Sequence, residues 1–108
     1  MQLRLRAGAA ALASCLGTSA PAAEAELGRQ KAAPCAVCHG PQGLSAAPDA
    51  PHLAGQPAMY LAAQLKAYRS GSRRHEVMAV IAKPLSDDDI EHLAAWFSSQ
   101  KISVQSPP

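Results

Sequence analysis

The chain is poor in aromatic residues: among 108 residues it has one Trp, two Tyr and one Phe. This length allows one domain and no second. So few large rings leave it a small core, and domains of about 100 residues or fewer are often reinforced by a staple or a cofactor. Charge of one sign is lacking too. Ten Lys and Arg face eight Asp and Glu, an imbalance too weak to argue for nucleic acid. No apolar run reaches the roughly 18 to 20 residues of a membrane-spanning helix. Nothing alternates with period two over a useful length, so the usual mark of strands is missing. What is present is 48% apolar and 17% charged, a balance that argues against global disorder.

The first 25 residues read as an address. Arg4 and Arg6 form a positive n-region, residues 7–17 are mostly Ala and Leu, and small residues follow as far as Ala25. This is the order of a secretory signal peptide. It occupies 1–23, with cleavage after Ala22 or Ala25, and leaves one domain over 24–108. A second route is written in Leu12-Ala13-Ser14-Cys15, which resembles a bacterial lipoprotein box and would make Cys15 a lipid anchor. The stretch before Cys15 is short for that route, and a usable Ala-x-Ala site lies downstream. Loss of Arg4 and Arg6 leaves eight basic residues against eight acidic ones. Any electrostatic attraction to a partner is then a matter of local charge.

Beyond the leader stand two cysteines, Cys35 and Cys38, followed at once by His39. Three readings fit an exported chain with this pattern. A disulfide across Cys-x-x-Cys is tight and redox-active, yet no βαβ pattern of the thioredoxin kind surrounds it. Zinc needs about four ligands, and only three candidates stand here, two of them adjacent. Covalent haem attachment is the reading for which Cys-x-x-Cys-His is the signature. Two thiols about one helical turn apart add across the two vinyl groups of one haem. The next residue, His39, then lies beneath the iron and binds it through a ring nitrogen.

The residues around this motif carry a wider resemblance. Cys35-Ala36-Val37-Cys38-His39-Gly40, Pro51-His52-Leu53-Ala54-Gly55-Gln56, Tyr60-Leu61-x-x-Gln64-Leu65, Gly71-x-Arg73, Met78 and the run Leu85 to Phe97 form a series. The series resembles a class I c-type cytochrome, most closely the bacterial subgroup whose domain also occurs in tandem in periplasmic di-haem proteins. It covers residues from about 26 to 100 and contains one haem motif. The resemblance implies an all-α cytochrome c fold of about four helices around one haem c. It implies a periplasmic one-electron carrier rather than an enzyme, with redox proteins as transiently docked partners. The alternatives are a haem subunit of a larger periplasmic oxidoreductase and a haem enzyme or gas sensor with an open distal site. The zinc reading, which predicts a colourless protein, is the last.

Local signals supply the elements. Residues 25–34 are Ala-rich and helix-permissive, and the resemblance makes Gly28 a close crossing point for the C-terminal helix. Residues 40–57 hold four Pro and three Gly and read as a loop. A loop this long is unusual in a compact domain unless it wraps something. Residues 58–70 place Met59, Leu61, Ala62, Leu65 and Tyr68 at helical spacing, with Gly71 as terminator and Met59 as a gap-filling core residue. A short helix over 76–83 stops before Pro84. Ser86 caps the clearest helix, with Asp89 completing a near capping box. Ile90, Leu93, Ala94 and Phe97 make its apolar stripe.

A haem iron has a second axial position. A Met thioether there raises the potential and closes the iron. Met78 follows a polar loop and matches the ligand position in the resemblance, while His75, three residues upstream, is its rival. His52 and His92 read as solvent-facing or flanking residues. The resemblance further implies that the Pro51 carbonyl accepts a hydrogen bond from the free ring N–H of His39. It leaves Arg73 as a partner for a haem propionate or as a plain surface Arg. Lys66, Arg69, Arg73 and Arg74 are locally basic, and 87–91 is locally acidic; both read as solvated faces.

Overall fold

The computed structural model describes residues 8–14 and 20–108. The n-region with Arg4 and Arg6, and Cys15 with its lipid-anchor reading, lie outside the described residues. Five helices follow one another: α1 Ala20–Lys31, α2 Ala33–His39, α3 Ala58–Ser70, α4 Glu76–Ala82 and α5 Asp87–Ser98. No strand occurs among the described residues, and none of the helices is long and apolar enough to cross a membrane.

The fifth helix arises because the segment read as one Ala-rich stretch divides at Ala32. Pro34 sits in the first turn of α2, where its missing N–H costs nothing because that donor has no intrahelical partner anyway. The same ring could not continue α1. Helix α1 also starts earlier than the Ala-rich reading suggests, at Ala20.

Helix α5 is the organiser. Ser86 Oγ accepts the Asp89 N–H at 3.0 Å, and Asp89 Oδ2 accepts the Ser86 N–H at 3.0 Å, closing the capping box. Its stripe is buried throughout, Ile90 at 0% exposure and Phe97 at 3%. Around it gather Ala32 from α1–α2 and Leu61 and Ala62 from α3. The two largest fully buried side chains are Ile90 and Leu93, so the protein-only core is small.

Helix α1 packs on α5 more extensively than any other pair packs. The crossing is set by Gly28. A Cβ there would run into the backbone carbonyl of His92 and come within 2.7 Å of the Trp96 Cβ. Lys31 ties the crossing from the side, its Nζ lying 2.7 Å from Asp89 Oδ1 and 3.0 Å from His92 Nδ1. His92 is thus half-buried and bonded rather than solvent-facing. Its neighbours on both helices hold it, which the sequence around it does not signal.

Two further expectations are corrected. Met59 is 86% exposed, not a core filler. It lies two residues before Leu61, about 200° round the helix from it, so the buried stripe of α3 runs without it. The basic and acidic stretches do not face solvent separately either. Lys66 Nζ meets Glu91 Oε1 at 3.0 Å and Arg69 Nη2 meets Asp87 Oδ1 at 2.6 Å, so the basic face of α3 meets the acidic start of α5.

Candidate functional site

Cys35, Cys38 and His39 lie on the single short helix α2. The two cysteines are free thiols one helical turn apart, Cys35 half-buried and Cys38 exposed. Burial pushes the Cys35 thiol above the ordinary thiol range. Its surroundings explain this: an apolar cleft of about 210 Å³ is lined by Pro34 and Cys35 from α2, Leu65 from α3, Val80 and Ile81 from α4, and Leu85 and Leu93. Lys31 stands at its edge.

His39 is the buried polar residue of the core, 8% exposed. Its Nδ1 lies 2.8 Å from the Pro51 carbonyl oxygen. A carbonyl can only accept, so Nδ1 carries the proton and Nε2 is the free lone pair. Nε2 has no protein partner, and it is not among the sealed orphan atoms, of which the described residues have one, Trp96 Nε1.

The loop of residues 40–57 brings Pro51 to that ring. The Gly43 carbonyl accepts from Leu53 N–H at 2.7 Å and Ala54 N–H at 3.1 Å, which folds the loop back on itself. Gly43 is required there: its φ is +86°, and a Cβ would lie 2.7 Å from Ala54 N and 2.9 Å from Phe97 Cδ1. The Gly55 N–H then bonds the Phe97 carbonyl at 2.9 Å and anchors the loop to the end of α5. Across the loop, Ser45 N–H donates to His52 Nδ1 at 2.7 Å. The sequence reads His52 as flanking the haem without binding iron, and no periodicity or spacing marks this bond.

Met78 lies half-buried on α4, three residues before the cleft-lining Ile81. His75 is the N-cap of α4, its Nδ1 accepting the Met78 N–H at 3.2 Å. Arg73 is taken up within the protein: Nη1 donates to Gln64 Oε1 at 2.7 Å, and the guanidinium stacks 4.7 Å from the Tyr68 ring centre.

These residues fit a covalently held haem. Two free thiols one turn apart adjoin a buried histidine whose ring is already oriented and whose outer nitrogen is uncommitted. An apolar cleft begins at the first thiol, and Val77 and Val80 of α4 remain uncovered at 54% and 71% exposure. The donor set does not fit zinc, since no group of three or more His, Cys, Asp or Glu among the described residues is placed to hold a metal ion.

Known proteins with this arrangement bear on its identity. The family model for cytochrome c matches residues 25–101. Cytochrome c4 of Stutzerimonas stutzeri is 44% identical over 97 residues, covering 82% of this chain and 46% of that protein. Cytochrome c-554(548) of Halomonas halodenitrificans is 43% identical over 83 residues, covering 74% of this chain and 100% of that protein. The crystal structure of reduced recombinant cytochrome c4 from Pseudomonas stutzeri superposes with a TM-score of 0.69 at 46% identity, over 74% of this chain and 47% of that one. The chain thus spans about half the length of the cytochrome c4 proteins it matches, and the whole length of the shorter relative. On the family match, these identities and the shared fold, the chain belongs to the cytochrome c family.

Proposed function

We propose that this chain is a periplasmic one-electron carrier. It would hold one haem c through thioethers at Cys35 and Cys38, with His39 and Met78 as the residues that would bind its iron. The observation that carries the reading is the His39 ring, fixed by Pro51 through Nδ1 and left open at Nε2 beside the two thiols. When bound, the haem supplies an iron that takes up and gives away one electron.

The chain's residues do the rest. The Pro51 carbonyl holds the proton on Nδ1, fixes the ring plane and makes Nε2 a stronger donor. Met78 would offer the iron a thioether, which would favour the reduced state. An iron bound by both His39 and Met78 would leave no place for a substrate, which fits a carrier of electrons rather than an enzyme. His75 is engaged as the cap of α4 through the Met78 N–H, which supports Met78 over His75 as the ligand. Leu65, Val80, Ile81 and Leu85 line the apolar cleft and would give the haem an apolar wall. Partners are redox proteins that dock briefly, with charge aiding encounter more than affinity. Residues 1–23 are the export signal and 24–108 the cytochrome domain.

Expression in an exporting host that matures c-type cytochromes tests this. The purified chain should gain the mass of one haem that survives acid and solvent, and should begin near residue 23 to 26. The Cys35→Ala/Cys38→Ala double variant should lose the attached haem. A colourless wild-type protein would overturn the reading. A stoichiometric partner carried through purification would move the chain to the role of a subunit, and a lipid-modified Cys15 at the N-terminus would replace the cleavage site.

A further inference from the structure

The loop that presents the Pro51 carbonyl is held by a histidine that the electron-carrier reading does not use. His52 follows Pro51 directly, and its Nδ1 accepts the Ser45 N–H at 2.7 Å. Ser45 in turn reaches back to α2: its hydroxyl, with one proton shared between two acceptors, lies 3.1 Å from the Cys38 carbonyl oxygen and 2.7 Å from the Ala47 carbonyl oxygen. The Gln56 side chain donates to the His52 carbonyl at 2.5 Å. The residue that follows the Pro51 carbonyl is therefore held twice, at its carbonyl by Gln56 and at its imidazole by Ser45, and the imidazole contact leads through Ser45 to the helix carrying Cys38 and His39.

We infer that His52 is a positioning residue for His39. Its neutral imidazole clasps Ser45 and so holds the Pro51 carbonyl against the ligand ring. The inference rests on the haem reading for its electrochemical consequence but not for the clasp itself.

The clasp needs a lone pair on Nδ1. A neutral imidazole with its proton on Nε2 provides one, and an imidazolium does not. On protonation, two donors face each other across 2.7 Å and the bond is lost. Histidine side chains make this change between about pH 5 and 8. Other titratable or charged groups near the loop are Asp49 within it, His39 and the two thiols on α2, and Lys101 in the tail, where Gln100 and Ile102 pack near Gly55. None of them bonds or ion-pairs with His52 among the described residues. Helix α5 meets the loop at Phe97, and residues 93–100 carry no charge.

A loosened Pro51 carbonyl weakens its bond to His39 and makes the ring a poorer donor, which favours the reduced state. The positive charge on His52 pushes in the same direction. The two effects separate by substitution. His52→Asn keeps an acceptor for Ser45 and removes the titration. His52→Ala removes both.

The test uses the haem-loaded protein. It measures the reduction potential from about pH 5 to 8, and in parallel the protection of the Ser45 amide against hydrogen exchange, corrected for intrinsic exchange. In wild type the potential should rise as pH falls through the His52 titration, followed by ring NMR, and Ser45 should lose about five- to tenfold in protection, the weight of one hydrogen bond. His52→Asn should show neither step. His52→Ala should have a raised potential and an unprotected Ser45 even at pH 8. If His52→Ala instead has the potential of wild type at pH 8, His52 acts through charge alone and the inference is overturned. An unchanged Ser45 protection across the titration overturns it equally. Either result arises with the haem in place, whereas failure of the carrier reading appears as a missing haem.

Discussion

Gly28 of α1 lies directly against the backbone carbonyl of His92 in α5, closer than any side chain would allow. Two residues more than sixty apart in sequence thereby bring their helices together backbone to backbone, and the pair with the most extensive contact in the fold is built around this point.

Gly28→Ala tests the crossing. At an unconstrained helical site the change stabilises by roughly 0.5–1 kcal/mol. Here the sign should reverse. The added methyl overlaps main chain, which cannot rotate away, and overpacking of this kind costs about 1–3 kcal/mol. Denaturant midpoints of the haem-loaded wild type and variant measure it. A midpoint equal to or above that of wild type would show that α1 and α5 do not meet in this way.

Acid should reach Asp89 late. The Lys31 ammonium beside it, with further help from the Ser86 N–H and hydroxyl, holds its carboxyl down at about 2, below the ordinary carboxylate range. A carboxylate lowered on folding contributes stability that is present above the unfolded value and lost as pH falls through the folded one. The contribution should be full above about pH 4 and fade toward pH 2. Asp89→Asn removes the charge, so its deficit against wild type should be largest near neutral pH and vanish near pH 2. Equilibrium unfolding across that range reads it; a deficit independent of pH would mean the charge plays no part.

The two ion pairs between α3 and α5 should differ in weight. Lys66 and Glu91 are 44% and 55% exposed, and exposed pairs contribute about 0–1 kcal/mol. Arg69 also donates to the Leu85 carbonyl at 2.9 Å from a side chain 29% exposed. Removing it strands a half-buried acceptor, which costs about 1–3 kcal/mol. Arg69→Ala should thus destabilise more than Lys66→Ala in thermal unfolding, and equal shifts would contradict the assignment.

These contacts show where sequence reading works and where it stops. Helix α5 was legible because its signals are local: a capping serine, an acid three residues on, and an apolar period of 3.6. The break between α1 and α2 was not, since an Ala-rich segment has no period and Pro34 suits a first turn as well as a loop. The exposure of Met59 and the bonding of His92 depend on which helices pack together. So does the pairing of Lys66 and Arg69 with α5, across 25 and 18 residues. In the site, Cys35, Cys38 and His39 stand out by adjacency. Spacing alone gives no reason to join His39 to Pro51 twelve residues on; the family resemblance supplied that pair. The Ser45–His52 clasp has no local signature and emerges from the way Gly43 folds the loop.

The central claim is that His39 and Met78 together close an electron-carrying haem, and absorption tests it most directly. Oxidised wild type and Met78→Ala, both matured with haem, are compared in the far red, where a Met sulfur bound to ferric iron gives a weak charge-transfer band. The account predicts the band in wild type and its loss in the variant. A variant that keeps the band would contradict Met78 as the ligand, and a wild-type protein without it would contradict methionine ligation altogether and with it the His/Met-closed iron on which the carrier reading rests.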